Sequence, residues 1–529
     1  MKDFTNLIYD ISQTKSVKEK TEFITRYFQS QSPENAVWGL FFLCGYKIKR
    51  LIGPQKLFQW CIELSHLPEW IALESYAAVG DLAEAIALLM TVDQDSKKED
   101  NRSLHAWMND NILPLQSFEN EKQKEQIVKF WKELDVRGIF VLNKILTGAL
   151  RIGVSQTLTI QGLSKALQIP KEALEQKLMG HWSPSKEFFE NLSLSDGNQL
   201  HLNPYPFYLA SPLEKSLEEL GDPQEWMAEW KWDGIRAQCI HRNGQAAIWS
   251  RGNELISSQF PEILEAIKTL ESGTVLDGEI LAFKEGKPLP FGQLQKRLGI
   301  KKVTKTLIES VPVIYMIYDI LERKGHDVRK KTLYLRRSLF EMGLKDDRLK
   351  ISPLIAFQSW DEIKAKRKEA ESNGTEGLLL KKLNSSYGSG RKKGNWWKYK
   401  IDPKTMDVVL IYAQPGHGWR ANLYTDYTFG IWDEGQLVPI AKAYSGLSNE
   451  EILRLDKWIR KNTVEKFGPV RKVKPEQVFE IAFDGIQVSK RHRSGLAVRF
   501  PRIARWRTDK PPEECDTLEN IKDLLNGQI

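Results

Sequence analysis

Glu229-Trp230-Lys231-Trp232-Asp233-Gly234 carries the alternation that decides what kind of chain this is. Residues two apart in an extended strand share a face, so Glu229, Lys231 and Asp233 point one way and Trp230 and Trp232 the other. One face is ionic and the other is core. Taken alone, the hexapeptide serves equally well as a salt-bridged edge strand, because Lys-x-Asp-Gly arises by chance roughly 0.1 times in a chain of this length. Its meaning depends on its surroundings.

On the C-terminal side, β-branched and aromatic runs at residues 245–250, 274–283, 311–321 and 377–383 alternate with Gly, Asn and Asp, which predicts strands with some helices between. After Asp402-Pro403, the runs at 406–413, 424–432 and 437–444 predict a small antiparallel barrel, interrupted by a helix near 449–460. On the N-terminal side the apolar residues recur at helical spacing, as in Ile127, Phe130, Trp131 and Leu134, and Ser32-Pro33-Glu34 has the form of a capped helix start. Residues 93–103 read as a loop between helices and residues 193–206 as an interdomain linker. The result is a multidomain chain, all-α over 1–202, α+β over 203–403 and a β-barrel over 404–529, without internal repeat or low-complexity tract.

A length of 529 residues agrees with about three cores. The ordinary apolar share and mixed charges exclude global disorder, and the formal charge of +8 leans towards a polyanionic partner without proving one. Cys44, Cys61, Cys239 and Cys515 stand far apart with no C-x-x-C pair, which predicts reduced, buried thiols rather than a zinc site or a disulfide framework. The longest apolar run, residues 36–46, is too short to span a bilayer, and Met1-Lys2-Asp3-Phe4 is unlike a signal peptide. A cytoplasmic enzyme, nucleoid-associated if prokaryotic, is expected.

Polar groups recur downstream on apolar strands, where isolated charges are expensive. In order they are Ser250-Arg251-Gly252, Leu276-Asp277-Gly278-Glu279-Ile280, Tyr315-Met316-Ile317-Tyr318-Asp319, Glu376-Gly377-Leu378-Leu379-Leu380-Lys381 and Trp396-Trp397-Lys398-Tyr399-Lys400. A basic cluster of Arg502, Arg505 and Arg507 closes the series with Arg507-Thr508-Asp509-Lys510.

This ordered series, over residues 229–510, resembles the motif set of covalent nucleotidyltransferases, the superfamily of ATP-dependent DNA ligases, RNA ligases and messenger RNA capping enzymes. The resemblance implies a nucleotidyltransferase domain of ATP-grasp-like antiparallel sheets over 203–403 and an OB-fold barrel over 404–529. It implies that Lys231 attacks the α-phosphorus of ATP, that AMP passes to a 5′-phosphate at a nick, and that the adjacent 3′-hydroxyl displaces it. By the same resemblance Glu229 reads the adenine amino group, Tyr318 stacks on the base, and Arg236 and Arg251 contact sugar and phosphates. Lys398 and Lys400 grip the α-phosphate, and Arg507 and Lys510 orient the leaving pyrophosphate when the barrel closes. Asp233 positions groups around the nucleophile, without being assigned as a base.

Elementary chemistry agrees. A lysine of ordinary pKa near 10.4 is neutral in only about one molecule in a thousand at pH 7, so nearby cations such as Lys398, Lys400 and a bound Mg²⁺ have a second purpose in activating it. Glu279 and Glu376 are hard oxygen donors suited to Mg²⁺ and also to pairing with lysines on neighbouring strands.

Within the superfamily, Gly148-Ala149-Leu150-Arg151-Ile152-Gly153-Val154 is similar to a segment of the helical DNA-binding domain of larger cellular ATP-dependent DNA ligases. Gly416-His417-Gly418-Trp419-Arg420 and Tyr424-Thr425-Asp426-Tyr427 resemble the corresponding barrel region, although Trp419 stands where a second basic residue is common. Arg151 and Arg420 are the expected DNA contacts, with Lys490-Arg491-His492-Arg493 suited to phosphate backbone. The expected partner is a nicked DNA duplex, encircled by a monomer. The alternatives are an RNA ligase or capping-type guanylyltransferase, and a non-catalytic nucleic-acid-binding protein on the same scaffold.

Overall fold

The computed structural model describes residues 1–14, 16–90, 101–150, 153–180, 182–193, 202–300, 303–340, 344–416, 423–489 and 492–526. The chain divides into two compact units, one of residues 1–168, 184–189 and 403–529, the other of 169–183 and 190–402. Arg151, Trp419, Arg420, Lys490 and Arg491 lie outside the described residues, as do most of the expected loop at 93–103 and of the linker at 193–206.

The described residues up to 193, most of them in the first unit, form helices and no strand. Ile127, Phe130 and Trp131 bury one face of helix Asn120–Glu133, and Leu134 follows as its C-cap. Trp131 donates its indole N–H to Asn143 Oδ1 at 3.0 Å, fastening this helix to Val136–Leu146. The side chains of Asp81, Asp135 and Ser155 cap helix N-termini by accepting backbone N–H groups. Ser32 occupies the N-cap of Pro33–Leu43, but its side chain makes no capping bond, and Glu34 pairs with Lys186 at 2.8 Å.

The C-terminal part of the first unit is built on a sheet, with neighbours in the order Gln436–Ala443, Tyr424–Asp433, Lys404–Pro415, Val470–Val473 and Thr463–Phe467. Lys404–Pro415 also pairs with Val478–Phe483, which in turn pairs with Arg502–Trp506. Helix Asn449–Lys461 starts in a capping box of Ser448 and Glu451, and its Leu455 and Ile459 join Val408, Phe429, Phe479 and Ile481 in one core.

The second unit holds two sheets that position the charged motifs. The first runs Leu349–Ile351, Val313–Arg323, Thr274–Lys284, Ile235–Arg242 and Gln245–Ser250, and the second runs Leu354–Ile355, Trp226–Trp232, Thr375–Lys382, Trp396–Lys400 and Ser211–Pro212. Their central pairs are antiparallel; the short Leu349–Ile351 and Ser211–Pro212 pair in parallel with their neighbours. Trp226, Ala228 and Trp230 turn one face of the lysine strand into core with Leu378, Leu380 and Trp397, as the alternation predicts. Trp232 packs in a separate cluster with Leu281 and Met316. The strand ends at Trp232, and Asp233 lies just past it, near enough to Glu279 for its charge to be felt there. Gly234 is required by close approach, because a Cβ there would collide with the Ile280 carbonyl oxygen.

Cys61, Cys239 and Cys515 are buried and Cys44 is half-buried, all four as free thiols. Among the described residues no helix is long and apolar enough to cross a membrane.

Candidate active site

Lys231 and Glu229 lie on the charged face of the same strand, yet they meet different partners. Lys231 Nζ donates to Glu376 Oε2, an oxygen also reached by Lys400 Nζ at 3.2 Å. Glu229 instead receives Lys381 Nζ on Oε2 and Arg337 Nη1 on Oε1, the latter at 2.8 Å. Register explains how one neighbouring strand serves both. In a regular strand Glu376 and Lys381, five apart, would occupy opposite faces. The pairing of Thr375–Lys382 with the lysine strand is irregular between Thr375 and Leu378, and Gly377 sits there at φ +131° with no room for a Cβ beside the Tyr399 carbonyl. This bulge brings both side chains to the charged face.

The first sheet supplies the facing groups. Arg236 Nη2 donates to Asp277 Oδ2 at 2.7 Å and Nε to Oδ1 at 3.2 Å, a fork held further by the Tyr387 hydroxyl donating to Asp277. The Arg236 guanidinium lies 5.6 Å from the Tyr318 ring centre, and Lys381 Nζ lies 4.5 Å from it. Tyr318 is buried, and burial raises its phenol well above the ordinary value. Burial pushes the Glu279 carboxyl up to about 8, against the pull of the Lys231 and Arg236 charges and with the push of Asp277 and Asp233. Lys398 is lowered by burial, then by the charges of Lys400, Arg391 and Lys231.

Arg251 is exposed, in the turn after Gln245–Ser250, and its backbone N–H donates to the Arg236 carbonyl at 3.0 Å. Arg507 and Lys510 form their own cluster in the other unit: Arg507 Nη1 and Lys510 Nζ both meet Asp407 Oδ2, at 3.0 and 2.8 Å, while Arg507 Nη2 pairs with Asp509 at 2.9 Å. Asp407 raises Lys510 above its ordinary value through their hydrogen bond.

Sequence reasoning passed over Arg337, Lys381, Asp277 and Asp407 as functional groups. Lys381 and Asp277 stand inside motifs already quoted, and their signal is a charge on an otherwise apolar strand. Arg337 lies on helix Leu333–Phe340, where a basic residue looks like a solvated face, and only the fold buries it. Among the described residues no group of three or more His, Cys, Asp or Glu is placed to hold a metal.

Three family models match this chain in order: DNA ligase N terminus over residues 1–164, ATP dependent DNA ligase domain over 208–400, and ATP dependent DNA ligase C terminal region over 420–510. These regions in this order define a three-part nucleic-acid-joining enzyme. A probable DNA ligase of Koribacter versatilis is 31% identical over 98% of this chain and 95% of its own length. DNA ligase 1 of Korarchaeum cryptofilum is 26% identical over 100% of this chain and 99% of its own. The solved structure Pmar-Lig_PreS3 shares the fold with a TM-score of 0.62 at 15% identity, over 95% of this chain and 99% of that one. The chain belongs to the ATP-dependent DNA ligase family. With that, the RNA-ligase, capping and non-catalytic alternatives are not favoured.

Proposed function

We propose that this chain seals nicks in duplex DNA through covalent attachment of AMP to Lys231. The observation that supports this most is the meeting of Lys231 and Lys400 on one carboxylate, Glu376, from three neighbouring strands, with Lys398 in the same field of charge. In this reading the Lys231 amine attacks the α-phosphorus of ATP, and an N–P bond forms as the P–O bond to pyrophosphate breaks. A 5′-phosphate oxygen at the nick then takes the AMP from the lysine. Finally the 3′-hydroxyl attacks that phosphate, a phosphodiester forms and AMP leaves. Positioning and charge neutralisation at phosphorus carry the catalysis.

Lys398 and Lys400 grip the α-phosphate, Glu229 accepts a hydrogen bond from the adenine amino group, Tyr318 stacks on the base, and Arg236 and Arg251 reach sugar and phosphates. Asp277 braces the Arg236 fork, so this guanidinium offers a fixed direction. Glu279 and Glu376 would hold a magnesium ion, since such an ion takes one or two carboxylates and completes its shell with phosphate and water oxygens. Bound there, it would offset negative charge on the phosphates.

The domains of this reading are 1–202 for DNA binding, 203–403 for adenylation and 404–529 as an OB-fold barrel. The protein is a cytoplasmic monomer that closes around its DNA, with Arg151 and Arg420 among the contacts. Arg507 and Lys510 exchange Asp407 for the leaving pyrophosphate when the barrel closes.

Incubation with α-labelled ATP and Mg²⁺ should give a covalent adduct that Lys231→Ala abolishes, and a nicked DNA duplex should be sealed with ATP but not with NAD or GTP. An adduct that survives the substitution excludes Lys231 as nucleophile; better sealing of nicked RNA than of DNA overturns the substrate. Arg507→Ala should slow lysine adenylation while sparing the sealing of already adenylated nicks, and equal loss of both steps counts against closure.

A further inference from the structure

Lys381 is fully buried, with its side chain 0% exposed, and Glu229 beside it is 1% exposed. A buried ion pair is a poor way to stabilise a core, because hydrophobic side chains of similar volume usually do as well or better. Lys381 and Arg337 have no part in the phosphate chemistry above, yet together they bring two cations to one buried carboxylate. That is an arrangement to explain.

Its geometry constrains the carboxylate at both oxygens. Arg337 Nη1 reaches Oε1 at 2.8 Å and Lys381 Nζ reaches Oε2. Each clamp arm is itself fastened. Arg337 Nη2 donates to the Ser352 carbonyl at 2.6 Å, and the Ser352 hydroxyl accepts the Trp232 indole N–H at 3.1 Å. Lys381 lies between aromatic rings, 4.5 Å from the centre of Tyr318 and 4.6 Å from that of Trp396. A carboxylate oxygen offers about two lone-pair directions, so each oxygen of Glu229 keeps one after accepting its clamp donor. A group that accepts only, fixed in direction, favours a base edge that donates, such as the 6-amino group of adenine, over one that accepts, such as the 6-oxo group of guanine.

We propose that Arg337 and Lys381 are positioning residues for base selectivity, locking Glu229 as a one-directional acceptor beside the Tyr318 platform. The inference rests on the reading of Glu229 as the group that meets the adenine amino group. Selectivity then belongs to three residues rather than one. A carboxylate released from either arm turns, and the difference between bases that donate and bases that do not is reduced.

The experiment compares covalent labelling of the full chain by ATP and by purine riboside triphosphate, which lacks the 6-amino group. Their ratio of kcat/KM is unaffected by the fraction of protein that is folded, so a purely structural role leaves it unchanged. Wild type is expected to prefer ATP by about tenfold or more, the worth of one hydrogen bond to a charged group. Lys381→Met and Arg337→Met should each lower that ratio to about threefold or less, through KM more than kcat, and Lys381→Arg should recover part of it. If Lys381→Met does not fold, Arg337→Lys, which keeps a cation but loses the fork, is read in its place. The wild-type ratio retained in the clamp variants overturns the inference. The double variant Glu229→Met/Lys381→Met separates the two claims: a wild-type ratio there sinks the reading of Glu229 itself, whereas a collapsed ratio there beside intact clamp variants sinks the clamp alone.

Discussion

Glu229 and Glu376 project from adjacent strands and each meets two cations, but they differ in access to water: the Glu229 side chain is 1% exposed and that of Glu376 is 18%. The same ion-pair chemistry therefore has opposite uses. At Glu229, separating the charges would leave them buried and uncompensated, so the arrangement is permanent. At Glu376, a phosphate can take over the lysines while water reaches the carboxylate, so Lys231 is held but can be released. Permanence suits a group that recognises, and exchange suits a group that reacts.

Two substitutions test that contrast. The largest effect is expected from Glu376→Ala in adenylation, a loss of about a hundredfold or more in labelling rate if it both orients Lys231 and holds the metal that would offset the phosphate charge. Its folding stability should change by only about 1 kcal/mol; a much larger loss in urea unfolding would place Glu376 with Glu229 as a structural group. Glu229→Ala should reverse the balance, lowering stability by about 3–5 kcal/mol because Lys381 and Arg337 lose their counter-ion. Unchanged unfolding would remove the distinction between the two carboxylates.

A smaller effect is expected at Glu279, whose carboxyl is raised from its ordinary 4.5 to about 8. Between those values the folded chain retains a proton that the unfolded chain has released, so stability falls as pH rises through the window and the cost is complete above about 8. Glu279→Gln should remove that part of the slope. Wild-type and variant unfolding curves that stay parallel from pH 5 to 8.5 would contradict it.

Much of this contrast was legible in the sequence as charges at period two on apolar strands. Glu229, Lys231, Lys398 and Lys400 announce a charged face, and the aromatics between them, Trp230 and Tyr399, announce its core side. The pairing within that face was not legible. Glu229 and Lys231 look equivalent in an alternating strand, and only the neighbouring strands and helix decide which carboxylate and which cation each one meets. Arg337 comes from a helix more than a hundred residues away in the chain. The bulge was hidden too, because Glu376-Gly377 reads as the start of a regular strand until the Tyr399 carbonyl is seen packed against Gly377.

Gly377 has an evolutionary consequence. A library of every single substitution, selected for ligation in cells, should be depleted at position 377 about as strongly as at Lys231, although glycine has no side chain to offer a substrate. Any other residue would need a rare backbone conformation and would strike the adjacent strand, and relief by re-phasing would turn Glu376 towards the apolar side. Position 377 is thus tied to one hydrogen atom, at the point where two phases of the same strand meet.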